Sequence, residues 1–395
     1  MIKRKQVLAI SVVAALGLTA AACGSDDDGG DDTTTTAAPD TGDDDADDGD
    51  ADDADDADDA DDDAADDGDD ADDDAADDGD DDAVIDGDLN IGLLFDVTGR
   101  GDRSFNDAAA AGLDRAIAEL GVTGNESTPT GDGDRGERLQ GLIDQGNDLI
   151  IGVGFLWGDA ITAAAEANPD VNFAIVDSVI ELPNVASLVF AEQEGSFLVG
   201  AAAALKSETG TVGFIGGVEN DLIRRFEAGF AAGARAVDPD ITVLAQYISQ
   251  PPDFSGFNDP ARGKEIAAAQ YEAGADIIFS AAGSSGLGAF EAAREAGEPG
   301  EVWAIGVDSD QYELVSPELQ PYILTSMLKL VDVAVFGVIS DIAAGEFAGG
   351  VQVFDAASGG VGFSTSGGFI DDIVAELEAF LAQIASGEIE VPAAP

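Results

Sequence analysis

The chain has 395 residues, no histidine and one cysteine, and its 82 acidic residues against 16 lysines and arginines give a formal net charge of −66. These counts exclude Ser-His-Asp and Cys-His catalytic sites, His/Cys zinc centres and disulfides within the chain. So acidic a surface repels nucleic acid and anionic lipid, and we expect neither as a partner. Because salt screens self-repulsion, the charge favours a halophilic origin over ordinary acidic solubility.

The first 22 residues predict a secretory signal peptide. A basic start precedes the apolar stretch Val7–Leu18, which is too short to span a membrane, and small residues follow it. Ala20–Gly24 resembles a lipobox, with alanine where such sites usually have leucine. A cysteine directly after the cleavage point would take diacylglycerol, so we expect a lipid anchor at Cys23. The alternative is a soluble secreted protein with a free thiol.

An aspartate-rich stretch follows the cysteine. Residues 26–82 hold 33 aspartates, no base and, apart from Pro39, no apolar side chain larger than alanine, which predicts a disordered, solvated tether. The alternative of a calcium-binding array lacks the regular glycine and bidentate glutamate of calcium loops. From Ala83 onward, 49 acidic and 13 basic residues leave a net charge of −36, so the predicted folded part is acidic in its own right.

From Val84 the composition becomes globular, and about 310 residues usually form two domains. The segment contains an internal echo: Gly141–Gly154 parallels Ala269–Gly283, and Phe173–Ser178 parallels Ala304–Ser309. Each copy reads as a helix end, a glycine turn and a buried strand, followed by a second strand that ends in Asp-Ser. Two similar α/β lobes are predicted, with a cleft that collects the carboxyl ends of strands from both.

Hydrophobic periodicity places further elements along this segment. In chain order these are a strand at Leu89–Phe95, a helix at Asp107–Leu120, a strand at Thr211–Gly216, a helix through Phe226–Ala236, strands at Ile241–Ile248 and Glu301–Val307, Tyr322–Ser326 with a long apolar helical run to Ala344, short strands within Val351–Phe363 and a helix at Asp371–Ala385. No periodic segment after Cys23 is long enough to span a bilayer.

The turn after the first strand concentrates polar and aromatic groups. Ser104 and Asp107 resemble a capping box, which would point helix N–H groups toward the sheet edge. An acid (Asp96), an aromatic ring (Phe105) and an amide (Asn106) crowd the same place. The turn is therefore a candidate ligand site, with a solvated βα loop as the alternative.

The run Gly92–Asn106 resembles the opening motif of the basic membrane protein family, although Thr98 stands where the family usually has glycine. The members are lipid-anchored substrate-binding proteins of ABC importers that bind purine nucleosides. The resemblance extends over Asn90–Phe369, and Phe190–Phe197 is similar to the family's first interlobe crossover. It implies a type I periplasmic-binding-protein fold, with two doubly wound Rossmann-like lobes, a hinge and an interlobe ligand cleft.

The expected organisation has three parts. Residues 1–22 form the signal peptide, 23–83 the lipidated cysteine and tether, and 84–395 the binding domain. Within that domain we expect lobe 1 at about 88–190 and 325–348, and lobe 2 at about 191–324 and 349–395.

Two further positions come from strand ends. Asp159 follows a predicted strand, and on spacing alone it is either a helix N-cap or a ligand contact. Its match to the family's Gly-Val-Gly-Phe-x-x-x-Asp-Ala motif implies a contact with the base. Phe254–Pro260 resembles the family's Gly-Ser-Phe-x-Asp-Pro element with the serine and glycine in swapped order. This implies that Phe257 opposes Phe105 across the base, although alone it reads as a core residue.

Three candidates remain in the second half. Gly283 opens a glycine-rich turn, where backbone approach to a neutral ligand is a better interpretation than phosphate binding in so acidic a domain. Asp308 ends a strand and could accept from two vicinal hydroxyls. Lys329, expected on the long apolar helix, would keep Asp308 ionised and donate to a sugar; the alternative is a snorkelling surface lysine. The Ile-Gly-Val-Asp and Leu-Thr-Ser-x-Leu-Lys motifs of the family match here, which implies ribose binding by both.

These features lead to one functional prediction. The protein is expected to be an extracytoplasmic, lipid-anchored monomer that closes its lobes on a purine nucleoside and delivers it to an ABC permease, without metal, cofactor or catalytic activity. One alternative is a carboxylate-dependent nucleoside hydrolase, but the chain lacks an aspartate cluster of the kind that holds a catalytic calcium. The other is a sensory ligand-binding lipoprotein without transport.

Overall fold

The computed structural model describes residues 89–131 and 133–395, so the predicted signal peptide, Cys23 anchor and tether lie outside the described residues. The strands are β1 Asn90–Leu94, β2 Thr123–Ser127, β3 Leu149–Gly152, β4 Asn172–Val176, β5 Val185–Phe190, β6 Thr211–Val218, β7 Thr242–Ser249, β8 Ile277–Ala281, β9 Trp303–Asp308, β10 Ile323–Lys329, β11 Gly350–Phe354 and β12 Val361–Phe363. The helices are α1 Phe105–Leu120, α2 Arg135–Asp144, α3 Gly158–Ala167, α4 Glu192–Lys206, α5 Asp221–Val237, α6 Pro260–Glu272, α7 Gly286–Ala296, α8 Gln311–Leu314, α9 Val331–Ala343 and α10 Val374–Ala385.

The strands form two six-stranded sheets that repeat one topology. The first sheet has the order β11-β5-β4-β3-β1-β2 and the second β12-β10-β9-β8-β6-β7. Neighbouring strands are parallel except for β12, which runs antiparallel to β10, whereas its counterpart β11 is parallel to β5. This arrangement confirms the predicted pair of doubly wound α/β lobes, which the sequence echo had indicated.

Both sheets are covered by helices on both faces, as expected for strands that are apolar along their whole length. One large core, with Leu93 of β1 and Phe279 of β8 among its members, lies on one face of each sheet. Smaller clusters lie on the opposite faces, one around Trp157 and Phe173 and another around Ile278. Within the described residues, no helix has both the length and the apolar character needed to cross a bilayer.

Between residues 133 and 395 the chain passes from one sheet to the other three times. The crossings lie at Ala191, at Leu330 and between β11 and β12. The backbone N–H of Ala191 donates to Phe354 O at 3.0 Å, and that of Leu330 to Gly360 O at 3.0 Å, so hydrogen bonds join the three connections. By sheet membership the first lobe contains 89–190 and 331–354 and the second 192–329 and 361–395. The expected borders at 325 and 349 therefore differ from the observed ones.

The main correction concerns the apolar run from Tyr322 to Ala344. The sequence predicted a helix that carries Lys329, but this residue ends strand β10, and helix α9 begins only at Val331. In a short run whose residues are all apolar, periodicity cannot separate a buried strand from a buried helix. Residues 323–329 form a strand because they pair with β9. The short strands near Val351 and the closing helix are confirmed, although α10 begins at Val374.

Candidate functional site

A cavity of about 620 Å³, counting the part open to solvent, lies where carboxyl ends of strands from both sheets meet. Seven of the eight predicted ligand-binding residues line it: Asp96, Phe105, Asn106, Phe257, Gly283, Asp308 and Lys329. Asp159 does not line it; this residue is exposed in the first turn of α3, and its side chain does not cap that helix, because Trp157 holds the N-cap position.

The turn between β1 and α1 is organised by Asp102. Its carboxylate accepts hydrogen bonds from the backbone N–H groups of Ser104, Asn106 and Asp107 at 3.0, 2.8 and 3.1 Å. The predicted capping box is therefore wrong, because Ser104 makes no side-chain cap bond and the buried Asp102 satisfies the helix N-terminus instead. A cap from two residues upstream leaves the Ser104 hydroxyl available for the other lobe.

Asn106 holds the same turn from inside. Its Oδ1 accepts from the backbone N–H of Asp96 at 2.8 Å, and its Nδ2 donates to Thr98 Oγ1 at 3.1 Å and to Asp102 Oδ2 at 2.9 Å. The amide borders the cavity, but its hydrogen-bonding groups are engaged within the protein. We interpret Asn106 mainly as the residue that fixes Asp96 at the cavity wall.

Asp96 is a buried carboxylate beside an aromatic ring. Its Oδ1 lies 3.6 Å from Nη2 of Arg135, an ion pair without hydrogen-bond geometry. Burial raises the pKa of Asp96 to about 7, against the opposing effect of Arg135. Gly154 makes room for it: at φ +100°, a Cβ there would lie 2.8 Å from Asp96 Oδ2 and 3.4 Å from Cε1 of Phe105.

Phe257 enters the cavity from the second lobe on a 3-10 turn that precedes α6. A Cβ at Gly217 would lie 2.5 Å from the phenyl ring, so this glycine allows the ring to pack on β6. The Ser284 hydroxyl donates to Phe257 O at 3.0 Å, and the Ser285 hydroxyl donates to Gly256 O at 2.8 Å. The serines of the glycine-rich turn that starts at Gly283 therefore hold the Phe257 turn in place.

Asp308 joins the two lobes. It is buried at φ +65°, and its Oδ2 accepts from the Ser104 hydroxyl of the first lobe at 2.7 Å. Burial raises the pKa of Asp308 to about 6, although Lys329 and the Ser104 hydrogen bond oppose this. Two further bonds join the same segments: Ser309 Oγ donates to Ser104 O at 3.2 Å, and Gln311 Nε2 donates to Arg103 O at 2.8 Å.

Lys329 is 2% exposed and stands among three carboxylates and three phenyl rings. Its Nζ donates to Asp177 Oδ2 at 2.7 Å and lies 3.4 Å from Oε1 of Glu192. Burial alone would lower the pKa of Lys329, but the charges of Asp177, Glu192 and Asp308 outweigh burial and raise it. The rings of Phe105, Phe190 and Phe226 have centroids 5.1, 5.0 and 5.7 Å from the ammonium nitrogen.

Lys329 therefore donates its hydrogen bond to Asp177 and not to Asp308. It acts on Asp308 through its charge, which favours the ionised carboxylate as predicted. Glu192, the first residue of α4, is 1% exposed, and burial raises its pKa to about 7. The half-exposed Arg225 lies 3.4 Å from Glu192 and connects the buried cluster to the surface.

Acceptor oxygens dominate the polar groups of the cavity. Asp96 Oδ1 and Asp177 Oδ1 are buried and make no hydrogen bond within the described part of the chain. A buried acceptor without a donor costs about 1–3 kcal/mol, more when it is charged. In the described ranges, acidic side chains are nowhere grouped as metal ligands would be. The arrangement is suited to a neutral ligand that supplies several hydroxyl or N–H donors and a flat apolar surface.

Sequence reasoning did not select Asp177, Glu192, Phe226 and Asp102 as site residues. The sequence did indicate Asp177, because the repeated Asp-Ser places it at the position equivalent to that of Asp308 in the second lobe. Glu192 lies in the stretch recognised as an interlobe crossover. For Phe226, which reaches the cavity from the middle of α5, no local signal separates a ligand contact from a core residue.

Two sheets of one topology, three crossings and an interlobe cavity define the class of solute-binding proteins with a type I periplasmic-binding fold. Solute-binding proteins of an ABC transporter system from Aeropyrum pernix superpose with a TM-score of 0.67 at 31% identity, over 77% of this chain and 94% of that chain. A solute-binding protein from Conexibacter woesei shares the fold, with a TM-score of 0.63 at 22% identity over 77% and 98%.

The chain belongs to the PnrA-like family of ABC transporter substrate-binding proteins, whose family model matches residues 90–394. It is 37% identical to the ABC transporter nucleoside-binding protein BmpA of Lactococcus lactis subsp. cremoris, over 77% of this chain and 89% of that protein. It is 36% identical to a CD4+ T-cell-stimulating antigen of Listeria monocytogenes, over 78% and 89%. The recognition made from the motifs is therefore confirmed.

Proposed function

We propose that this protein captures a purine nucleoside outside the cytoplasm, while anchored by lipid at Cys23, and delivers it to an ABC importer. One observation carries the proposal: the cavity combines phenylalanine rings from opposite lobes with buried carboxylates that have unused acceptor atoms. A nucleoside has a flat base for the rings and several hydroxyl and N–H donors for the carboxylates. The name of the Lactococcus relative, a nucleoside-binding protein, supports the same ligand class.

The base is proposed to lie between Phe105 of the first lobe and Phe257 of the second. Stacking against an aromatic face adds about 0.5–1.5 kcal/mol beyond the burial of area. Because Asp159 is exposed away from the cavity, Asp96 replaces it in the proposal as the carboxylate that reads the N–H groups of the base. Asp96 is suited to this role, since it lies beside the Phe105 ring and its Oδ1 makes no hydrogen bond with any residue that the structure describes.

The ribose is proposed to bind Asp308, which accepts from two vicinal hydroxyls. Ser104 occupies one lone pair of Oδ2 and leaves the remaining acceptor capacity of the carboxylate for the ligand. Lys329 is proposed to offset the negative charges of the carboxylates around it. When the ligand binds, its ammonium group is proposed to donate a hydrogen bond to the sugar. Gly283, at φ +55°, is proposed to let the backbone approach the ligand closely.

The mechanism is capture by closure. Ser104, Arg103 and the segment from Asp308 to Gln311 are already hydrogen-bonded across the lobes, so these bonds are candidates for those that form when the lobes close. Opening would break them and expose the cavity. The closed form is proposed to dock on the permease.

Calorimetry with adenosine, guanosine, inosine and cytidine tests the ligand class on the purified protein, and mass spectrometry of a co-purified ligand tests it independently. We expect all three purine nucleosides to bind and cytidine to bind more weakly, because a smaller base offers less surface for stacking. If none of the four binds, the proposal is wrong. Free hypoxanthine after incubation with inosine would instead indicate a hydrolase.

The anchor has its own test. Exchange of Cys23 for serine removes the thiol that would be lipidated, so the protein should move from the membrane fraction to the soluble fraction with unchanged nucleoside affinity. Persistence of the Cys23→Ser protein in the membrane fraction would contradict lipid anchoring. Delivery is tested by measuring nucleoside uptake in cells that lack the ABC permease. Unchanged uptake would contradict delivery to that permease and would favour a sensory role for the protein.

A further inference from the structure

Arg135 is a buried arginine that does not border the cavity but lies next to a residue that does. It is 7% exposed, and its Nη2 lies 3.6 Å from Oδ1 of Asp96, the carboxylate proposed to read the base. Arg135 is also the first residue of α2. A cation at a helix N-terminus meets the positive end of the helix dipole, and burial removes its hydration. Helix stability therefore does not explain this arginine, whereas the buried carboxylate beside it does.

The indole of Trp157 places the arginine and the carboxylate relative to each other. The guanidinium carbon of Arg135 lies 5.1 Å from the centroid of the Trp157 ring, a cation–π contact. The Nε1–H group of the same indole donates to the carbonyl of Phe95, the residue directly before Asp96, at 3.0 Å. One buried side chain therefore holds both the strand end that leads to Asp96 and the cation that lies beside this carboxylate.

Charges of both signs act on Asp96 from the elements around it. Burial raises the pKa of Asp96 to about 7. Arg135 of α2 lowers this pKa, whereas Asp177 after β4 and Asp102 in the turn before α1 raise it further. The carboxylate therefore changes its charge near neutral pH, and without Arg135 it would do so at a higher pH.

We propose that Arg135 is a positioning residue for recognition of the base: its guanidinium keeps the carboxylate of Asp96 ionised and oriented as a hydrogen-bond acceptor at the cavity wall. The inference rests on the proposed function, in which Asp96 accepts from the N–H groups of the base. A neutral carboxyl group carries a proton on one oxygen and would present a donor to those N–H groups, so recognition requires the ionised form. Arg135 acts through Asp96 and does not contact the ligand.

The test is calorimetry with adenosine, which has no group that titrates between about pH 5 and 9, on the wild-type protein and Arg135→Met. An opposite charge within about 4–6 Å lowers a carboxyl pKa by about 1–3, so the midpoint of the affinity profile should rise by about one pH unit or more in the variant. At neutral pH the variant should bind adenosine about fivefold or more weakly, because far less of its Asp96 is ionised. This loss should shrink as the pH rises.

Two comparisons isolate the effect of this arginine. Burial also raises the pKa values of Asp308 and Glu192, to about 6 and about 7, but both residues are present in each protein and cancel in the ratio of affinities. Arg138→Met is the matched control, because Arg138 lies on the same helix, is 41% exposed and pairs with Asp134 at 3.1 Å. It should leave the affinity and the midpoint unchanged. Arg135→Lys, which keeps the charge, should restore most of the wild-type midpoint.

An unchanged midpoint in Arg135→Met, or a loss of affinity that is the same at every pH, would overturn the inference, because misplacement of α2 alone does not depend on the charge of Asp96. In the Asp96→Asn background, Arg135→Met should move no midpoint, and a shift there would also overturn it. If Arg135→Met does not fold, Arg135→Gln decides by the same criteria. Failure of the proposed function is distinguishable, because then the wild-type protein binds no nucleoside at any pH.

Discussion

The two lobes repeat one backbone plan and place different side chains on it. Their sheets have the same strand order, and the fourth strand of each leads to an aspartate with a left-handed backbone. Asp177 directly follows β4, and Asp308 is the last residue of β9. At the end of the fifth strand they differ: β5 ends at Phe190 and β10 ends at Lys329. The phenyl ring then lies 5.0 Å from the ammonium group. At this position one lobe therefore supplies a buried lysine and the other an aromatic face against it.

The third strands show the same contrast. Gly154 after β3 and Gly283 after β8 both have left-handed angles. Gly154 directly precedes a 3-10 turn, Gly283 is the first residue of one, and each turn leads into a helix. In the first lobe the space beside the glycine holds the Asp96 carboxylate, and in the second it holds the carbonyl of Phe257. The comparison shows that the repeated backbone determines where side chains enter the cavity. The residue type at each of these positions differs between the lobes.

The largest expected effect comes from removing Lys329, which ends the fifth strand of the second lobe where the first lobe has Phe190. Lys329→Met leaves Asp177, Glu192 and Asp308 buried without their common counter-charge, and loss of one partner of a buried ion pair costs about 3–5 kcal/mol. Urea denaturation should show this loss in the free energy of unfolding. Lys264→Met, which removes a surface lysine paired with Glu291 and Glu295, should cost no more than about 1 kcal/mol.

An unchanged stability of Lys329→Met would mean that the three carboxyl groups are neutral in the folded protein. In that case the cation would not be the feature that distinguishes the second lobe, and the contrast with Phe190 would lose its electrostatic meaning.

The next effect concerns the pH dependence of the free energy of unfolding, to which the buried Asp308 contributes. Its pKa rises from 3.8 to about 6 on folding, so the folded state binds the proton more tightly. The associated stabilisation is fully present below about pH 4 and is lost as the pH rises through about 6, a change of about 3 kcal/mol. Between pH 4 and 8, wild-type stability should therefore fall relative to Asp308→Asn by about this amount in urea denaturation. Parallel curves for the two proteins would contradict a raised pKa.

A smaller effect tests whether both lobes hold the base. Phe105→Ala and Phe257→Ala should each weaken purine nucleoside binding by about 1–3 kcal/mol, through lost stacking and burial. Phe336→Ala is the control, because this ring packs under Arg115 and does not border the cavity. If only one of the two variants loses affinity in calorimetry, the base is held by one lobe and the proposed sandwich is wrong.

The smallest effect is expected at Asp159. The family resemblance implied that this residue contacts the base, but in the structure it is exposed. Substitutions at exposed positions usually change free energies by less than about 0.5 kcal/mol, so Asp159→Asn should bind guanosine and adenosine as the wild type does. Asp96→Asn should instead change the order of preference among the bases. A changed base preference in Asp159→Asn would return this residue to the site.

Much of the fold could be predicted from the sequence because its signals are local. Buried strands such as Ile277–Ala281 are continuous apolar runs, and glycine turns bound them. The repeated Asp-Ser after two strands indicated the duplicated lobes. The position of Lys329 could not be predicted in this way, because an apolar run that is buried on all sides has no period that separates strand from helix, and only pairing with β9 decides.

The sequence by itself determined the family, the fold class, the acidic surface and seven of the residues that line the cavity, because composition and short motifs carry this information. Only the tertiary structure decided which charges meet. Asp177 and Lys329 are 152 residues apart and form a buried pair at 2.7 Å, and Ser104 reaches Asp308 across 204 residues. Such contacts depend on how two sheets face each other. No local pattern encodes that geometry, because the energy of a charge is set by its burial and its partners in three dimensions.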